Sequence, residues 1–195
     1  MILYTPIDIP LGRVGLLWEA GRRNPFILRI ILPGEVQPKK QRSRREPPDG
    51  ITNPDPDGIA GFMPRAKQLR LAEVIRQIRE YGEGRDVVFT LADLDIDLCS
   101  PFQRRVLILT FKIPRGKVAT YGGLARRLLL PRGARAAGTA LAHNPFPLII
   151  PCHRVVRTGG DLGGFGGGIP MKKALLAMEG VTFDERNRVR PEHIL

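Results

Sequence analysis

Cysteine, aromatic residues and long apolar runs are all scarce in this sequence. Only two cysteines, Cys99 and Cys152, occur in the 195 residues, and they have neither the spacing of a zinc site nor the number of a disulfide framework. No apolar run is long enough to cross a bilayer, and the N-terminus lacks the basic and apolar segments of a secretory signal. The sequence therefore predicts a cytoplasmic protein with reduced thiols, no bound metal and no association with membranes.

Acidic residues are missing from one part of the chain. The formal net charge is +12, and the window 101–160 contains no Asp or Glu at all, although many Lys and Arg residues lie in it. A surface with one sign of charge attracts polyanions, and its attraction to DNA weakens with added salt because bound counterions are released. The charge distribution therefore favours a nucleic acid partner over a basic surface that is merely solvated.

The first half of the chain has the apolar pattern of a small sheet. Strands are predicted at 1–9, 15–19 and 26–32, with turns at 11–13 and 22–25. The stretch 33–64 is rich in proline, glycine and charge, which predicts a long mobile loop. A helix is predicted at 66–81, where apolar residues recur every three or four positions, and one more strand at 87–91. The acidic run LADLDIDLC that follows is expected to link the two halves.

The second half is predicted to be mainly helical. The segment SPFQ (100–103) is a capping box with proline at the first helical position, and the helix that it opens ends near Pro114. Helices at 121–131 and 134–143 are joined by a tight Pro-Arg-Gly turn, which predicts a helix-turn-helix. The second of these helices carries mostly small residues, which allow its backbone to come close to another surface. That surface is the DNA minor groove, the core of the protein itself, or both on opposite faces of the helix.

The segment IIPCHRVV (149–156) places a thiol, an imidazole and a guanidinium within an apolar run. A thiol buried among these isoleucines and valines resists ionisation, although the thiolate is the nucleophilic form. A nucleophilic Cys152 would therefore need a base, and His153 is the adjacent candidate. Neighbours in an extended chain point to opposite faces, so a turn or a water molecule would have to connect the two side chains. A glycine-rich segment and a last helix, predicted at 170–179, follow.

Five segments, in order, resemble the O6-alkylguanine-DNA alkyltransferases: SPFQ, GKVATYGGLA, RAAGTALAHNP, IIPCHRVV and LLAMEG. The resemblance is strong over 100–180 and weak in the first half. It implies an α/β N-terminal domain at 1–96, with a small antiparallel sheet plus helix, ribonuclease H-like in type. It also implies a mainly α, winged-helix-like domain with the helix-turn-helix at 97–182, and a C-terminal tail at 183–195.

The resemblance also implies a function. Members of this family flip O6-alkylguanine out of double-stranded DNA through the minor groove and move the alkyl group irreversibly to a cysteine, once per molecule. Activity on O4-alkylthymine, a monomeric state and the absence of any cofactor are expected on the same ground. The location would be the cytoplasm or nucleoid, or the nucleus of a eukaryote.

Catalytic roles carry over to matching positions. Cys152 would be the nucleophile, and His153 would be the base that reaches the thiol through a water molecule. Glu179 would orient the imidazole from the last helix, in the general logic of nucleophile, base and orienting group. Asn144 matches the asparagine at the hinge between the recognition helix and the active-site segment.

Other residues are implied to contact DNA or the extruded base. Arg135 would fill the gap that the base leaves, and Tyr121 would crowd the 3′ phosphate and rotate the nucleotide outward. The remaining DNA-binding positions lie on the second helix of the motif: Ala136, Gly138, Thr139, Ala140 and Leu141. The substrate pocket would consist of Tyr121, the Val155 carbonyl as acceptor for the guanine amino group, a lid of Phe165, Gly166 and Gly167, and Lys172.

The chain departs from the family pattern at Phe165-Gly166, where many relatives have Tyr-Ser. Hydroxyl contacts are lost there, although the Gly166 N–H remains able to donate to O6, so the tolerated size of the alkyl group stays open. Three alternatives are a lesion-binding alkyltransferase-like protein without transfer activity, a winged-helix regulator and a thiol hydrolase. Cys152 argues against the first and the bare second helix against the second. A thiol hydrolase would need a cysteine and a histidine far apart in sequence together with an oxyanion hole, and nothing in the sequence marks a second histidine for that role.

Overall fold

The computed structural model describes residues 2–21, 26–34 and 64–195. The chain forms two compact units, Met1–Ile96 and Asp97–Leu195. The described residues of the first unit form an α/β structure, with one small antiparallel sheet and one long helix, as the sequence predicts. The predicted turn at 22–25 and most of the predicted loop at 33–64 lie outside the described residues.

The sheet of the first unit has three strands in the order β1-β2-β3. They span Ile2–Ile9, Gly12–Glu19 and Ile27–Ile31, and both pairings are antiparallel. The turn predicted at 11–13 is shifted, because Pro10 and Leu11 form the turn and Gly12 pairs with Ile9 as the first residue of β2. Gly12 has a φ of 116°, which glycine adopts without strain.

Helix α1 spans Arg65–Gly82 and packs against β1. Its buried face contains Leu71, Val74 and Ile78, three of the residues whose spacing predicts the helix. The register of the apolar residues thus determines which face of α1 covers the sheet.

The strand predicted at 87–91 is wrong. These residues have no regular structure, and Val88 is 86% exposed, so its apolar side chain contributes nothing to a core. The edge of β3 is instead occupied by the following segment, in which Leu94 forms a parallel bridge with Ile27. Asp93 is buried there and pairs with Arg70 at 2.7 Å, so part of the acidic run predicted as a linker belongs to the first unit.

The second unit is mainly helical. Its elements, in chain order, are α2 (Pro101–Phe111), β4 (Ala119–Thr120), α3 (Tyr121–Arg127), α4 (Ala134–Ala142), β5 (Val155–Val156) and α5 (Gly168–Met178). Strands β4 and β5 form a short parallel pair. Helices α3 and α4 are the two helices predicted for the helix-turn-helix and pack on each other. Helix α3 ends before the predicted 131, because the chain turns at Leu129, whose φ is 61°.

At the N-terminus of α2, only one of the two hydrogen bonds of the predicted capping box is formed. The Ser100 hydroxyl accepts a hydrogen bond from the Gln103 N–H at 3.3 Å. The Gln103 side chain does not return to Ser100, since its amide donates to the carbonyls of Ala140 and His143 at 3.2 and 2.8 Å. Those carbonyls belong to the last turn of α4, where a helix leaves acceptors unsatisfied, so Gln103 ties α2 to the end of α4.

Residues 183–195, which the resemblance predicts as a tail, pack within the second unit. Val189 belongs to an apolar cluster with residues of β5 and α5, and Phe183 and Ile194 pack against it. Ile194 also forms a parallel bridge with Val118, next to β4. The apolar positions at 183, 189 and 194 give this segment enough apolar area to leave solvent.

Candidate active site

Cys152 lies at the start of a single turn of 3-10 helix, Cys152–Arg154, which leads directly into β5. Its N–H donates to the Ile150 carbonyl at 2.8 Å, and its side chain is partly exposed, whereas Cys99 is buried. Both cysteines are thiols rather than half of a disulfide. In a 3-10 helix, with three residues per turn, neighbouring side chains point about a third of a turn apart rather than to opposite faces as in an extended chain.

His153 is held by a carboxylate. Its Nε2 lies 3.0 Å from Oε1 of Glu179, and both side chains are 0% exposed. With Nε2 donating to Glu179, Nδ1 is the ring nitrogen able to accept a proton. Burial lowers the pKa of His153 and outweighs the opposing influence of Glu179, so the imidazole is neutral at neutral pH. A neutral, oriented imidazole is the form that can act as a base toward a thiol.

Arg154 explains how the Glu179 carboxylate can remain ionised in the interior. The Arg154 guanidinium donates to both carboxylate oxygens, at 2.7 and 2.8 Å, and to the Ile113 carbonyl at 2.6 Å. Burial alone would raise the pKa of Glu179, but the hydrogen bonds and charges of His153 and Arg154 together lower it. Sequence reasoning missed this role, and the only signal for it was the arginine next to the Cys-His pair.

Asn144 connects the end of α4 to the segment that carries Cys152. Its side-chain amide donates to the Ile150 carbonyl at 3.0 Å and its side-chain oxygen accepts from the Phe146 N–H at 3.0 Å. The Ile150 carbonyl therefore receives hydrogen bonds from both Asn144 and Cys152. Asn144 thus holds the loop before the thiol, and its role at a hinge stays a prediction.

Tyr121 opens α3 immediately after β4, and Thr120 caps this helix through the Gly123 N–H at 2.9 Å. The Tyr121 ring lies between α4 and the glycine-rich loop. A Cβ built on Gly138 would lie 3.7 Å from the ring, and one built on Gly163 would lie 3.4 Å from it. Burial and the charge of an ionised Cys152 raise the pKa of Tyr121, which places the phenol in the electrostatic reach of the thiol. Two glycines thus lie next to this ring.

The glycine-rich loop and α5 form the other side of the site. Phe165 is 6.2 Å from His153 between ring centroids, edge to face at 82°, while Gly166 is exposed and Gly167 partly so. Lys172 is fully buried on α5, and its amine donates to the carbonyl of Val155 at 2.6 Å and to that of Gly164 at 3.4 Å. Burial lowers the pKa of Lys172 to about 8.

The Val155 carbonyl is thus already an acceptor for Lys172. A carbonyl has two lone pairs, so it can accept from Lys172 and from a ligand amino group together. The lysine therefore fixes the direction of an acceptor that the resemblance assigns to the guanine.

The predicted DNA-binding positions on α4 fall into an exposed set and a buried set. Arg135, Ala136 and Thr139 are exposed, and Gly138 is partly exposed. Ala140 and Leu141, also assigned to DNA binding from the sequence, are instead buried at 7% and 6% exposure. They share the inner stripe of the helix with Ala137, at the i, i+3, i+4 spacing of a core-facing side, so their side chains pack in the interior.

Two absences bear on the sequence predictions. In 2–21, 26–34 and 64–195, no group of three or more His, Cys, Asp or Glu side chains is arranged to hold a metal ion. Over the same residues, no helix is both long and apolar enough to span a bilayer.

A partly exposed thiol, followed in the chain by a neutral imidazole that is bonded to a buried carboxylate, is an arrangement able to support nucleophilic chemistry at cysteine. Residues 101–181 match the family described as 6-O-methylguanine DNA methyltransferase, DNA binding domain. The chain belongs to the methylated-DNA–protein-cysteine methyltransferase family, as similarity along almost its whole length also shows.

The relatives and solved structures fall into two groups by coverage. A methylated-DNA–protein-cysteine methyltransferase of Mycolicibacterium paratuberculosis is 34% identical over 92% of this chain and 93% of its own length. One of Methanothermobacter thermautotrophicus is 44% identical, over 60% of this chain and 65% of its own length. A crystal structure of Mycobacterium tuberculosis OGT in complex with DNA has a TM-score of 0.65 and 30% identity, covering 91% of this chain and 92% of that one.

Proposed function

We propose that this chain repairs alkylated DNA by moving the alkyl group from O6 of guanine to Sγ of Cys152. The buried network of His153, Glu179 and Arg154 next to the thiol carries the proposal. Family membership supports it, since the curated relatives are methyltransferases that act on methylated DNA and a protein cysteine.

The chemistry follows from the protonation states. Neutral His153 takes the thiol proton, through a water molecule as the family resemblance implies, and Glu179 stabilises the imidazolium that results. The thiolate attacks the alkyl carbon, the bond from that carbon to O6 breaks, and its electron pair leaves on the guanine. The proton lost by the thiol is regained by the guanine, so the net products are a thioether at Cys152 and unmodified guanine. A thioether has no easy hydrolysis route, so each molecule reacts once.

The substrate is double-stranded DNA with O6-alkylguanine, and O4-alkylthymine is a second substrate. The reacting carbon is inaccessible in the base stack, so the nucleotide must be extruded. The exposed face of α4, with Arg135 at its start and short side chains beyond, suits close approach to the minor groove. Tyr121 rotates the nucleotide outward, and Phe165, Gly166 and Gly167 cover the extruded base.

The finer features of the fold are part of the same proposal. The first unit is ribonuclease H-like, and the second is a winged-helix-like domain in which α3 and α4 form the helix-turn-helix. The protein acts as a monomer, a proposal supported by the fact that every site residue named above lies in the second unit of one chain. It works in the cytoplasm or nucleoid, or in the nucleus of a eukaryote.

Mass spectrometry tests the proposal directly. After mixing with an oligonucleotide that contains O6-methylguanine, the peptide with Cys152 should gain the mass of one methylene, and the Cys99 peptide should not. Cys152→Ala should bind the oligonucleotide and leave the lesion in place. Binding of the intact protein without any mass gain would favour the second candidate, a lesion-binding protein that transfers nothing, although the thiol at 152 argues against that class.

A further inference from the structure

The last fourteen residues, 182–195, form a segment that we call the C-terminal strap. The match to the family's DNA-binding domain ends at residue 181, so it assigns nothing to them. Within the second unit, however, the strap contacts the backbone on both sides of the site. We infer that the strap is a positioning element for alkyl transfer, which holds Tyr121 and the glycine-rich loop in place around the extruded base. This inference rests on the proposed function.

The first contact of the strap is with the residue before β4. The Val118 N–H donates to the His193 carbonyl at 2.8 Å, and the Leu195 N–H donates to the Val118 carbonyl at 2.9 Å. Val118 is followed by β4, which pairs with β5 and leads directly into Tyr121, the first residue of α3. The strap therefore adds a third, parallel neighbour to the pair of strands that brings Tyr121 beside the Cys152 turn.

The second contact is with the loop after β5. The Val189 N–H donates to the Gly160 carbonyl at 2.9 Å, and a Cβ on Gly160 would overlap the Val189 carbonyl oxygen. Gly160 has a φ of 85°, so its conformation and the close approach both require glycine. This residue lies between β5 and the predicted lid, so the strap fixes the point from which the lid loop departs.

The His193 side chain holds the strap against the turn before β4 through hydrogen bonds. Its Nδ1 donates to the Gly116 carbonyl at 2.9 Å, and its Nε2 accepts from the Thr182 N–H at 3.1 Å. The imidazole thus joins the two ends of the strap to the chain that leads to Tyr121. Its neighbour Glu192 is exposed, and the contact of Glu192 with Lys117 uses the backbone carbonyl, at 2.9 Å.

These contacts define a test with matched variants. His193→Ala removes the hydrogen bonds of the imidazole to Gly116 and Thr182. His193→Asn keeps a side-chain donor for the Gly116 carbonyl. Glu192→Ala changes an exposed side chain and retains every strap contact named above. The substrate is a single-stranded oligonucleotide with O6-methylguanine, in which extrusion costs least. A misplacement of about 1 Å can slow a reaction about 100-fold, so the smaller displacement expected in His193→Ala should slow methyl transfer about tenfold. His193→Asn should recover much of the rate, and Glu192→Ala should match the intact protein.

A second measurement separates positioning from stability. The variants are treated with iodoacetamide, which alkylates accessible thiols without using the base pocket. Labelling of Cys152 should keep its normal rate in His193→Ala, and buried Cys99 should stay protected. An unchanged transfer rate would overturn the inference. So would a slow transfer rate accompanied by exposure of Cys99 or by slower labelling of Cys152, since the strap would then serve overall stability or the nucleophile. If the intact protein gains no methyl group, the proposed function fails instead.

Discussion

Around Cys152 the polar side chains are buried and bonded to one another, whereas along the exposed face of α4 the side chains are short and mostly uncharged. His153 and Glu179 are fully buried, and Arg154 closes the network with two hydrogen bonds to the carboxylate. On α4, the side chains of Ala136 and Thr139 are short and uncharged, and Gly138 has no side chain. The buried network around Cys152 has its charges in place before a substrate arrives, whereas the exposed face of α4, which we propose contacts the DNA, presents mainly short uncharged side chains.

The largest effect should come from Glu179→Gln, which breaks the first region. Removing one partner of a buried ion pair costs about 3–5 kcal/mol, because Arg154 would lose its counter-charge in the interior. The imidazole would also lose the carboxylate that stabilises its protonated form, so transfer should slow strongly. Urea unfolding and the transfer rate measure the two effects.

Glu185→Gln is the matched control for that variant, since Glu185 is exposed in the same unit. It should change the free energy of unfolding by no more than about 0.5 kcal/mol. Equal and small effects of the two substitutions would contradict the claim that the Glu179 charge matters.

The pH dependence of transfer should also reflect the buried network. The pKa of His153 lies below its ordinary value of 6.5 because burial disfavours the imidazolium. The neutral base therefore persists at pH 6.5, where an exposed histidine would be half protonated. The transfer rate on single-stranded substrate should stay nearly constant from about pH 7.5 to 6.5 and decline only at lower pH, by about tenfold per unit once His153 is mostly protonated.

The same shift has a consequence for stability with a definite sign. Below pH 6.5 the unfolded chain binds a proton at this histidine more readily than the folded chain, so stability declines as the pH falls.

A transfer rate that is already half-maximal at pH 6.5 or above would mean that a different, solvated group serves as the base.

Arg135→Ala tests the second region, and its effect should be smaller. If Arg135 fills the gap left by the flipped nucleotide, its loss should slow repair of duplex DNA by about tenfold for each 1.4 kcal/mol of lost stabilisation. Transfer from a single-stranded oligonucleotide should change little. Arg132→Ala is the control, because Arg132 is also exposed and has the same charge but lies in the turn before α4. Equal losses for both variants on duplex DNA would reduce Arg135 to a general contributor of charge.

The site is more predictable from the sequence than its surroundings are. Cys152, His153, Glu179 and Asn144 lie in short motifs, and the resemblance assigns each of them a role from its position in a motif alone. The distances, the burial and the part of Arg154 in the network depend on how those motifs pack together, and short motifs do not specify them.

The rest depends on contacts between distant parts of the chain. The burial of Ala140 and Leu141 follows from the packing of α4. At the edge of β3, the bridge to Ile27 is formed by Leu94 and not by the residues at 87–91 that are predicted as a strand. Neither of these two features can be predicted from a local sequence pattern. The strap residues pack for the same reason, because only the folded second unit supplies an apolar surface for Val189 and Ile194.

The smallest effects should come from two glycines on opposite sides of Tyr121, which join the two regions. Gly163→Ala forces a Cβ to within 3.4 Å of the Tyr121 ring at a φ of 67°, where an L-residue is strained by about 1–2 kcal/mol. Gly138→Ala adds a methyl group at ordinary contact distance, 3.7 Å, inside a helix in which alanine is favoured over glycine by up to about 1 kcal/mol. Thermal unfolding should therefore show Gly163→Ala destabilised and Gly138→Ala equal to or more stable than the intact protein. Transfer to Cys152 should slow only in Gly163→Ala, where relief of the backbone strain would shift the loop that contacts the ring. Slower transfer in Gly138→Ala alone would show that the ring is constrained from α4 and that the glycine-rich loop yields to it.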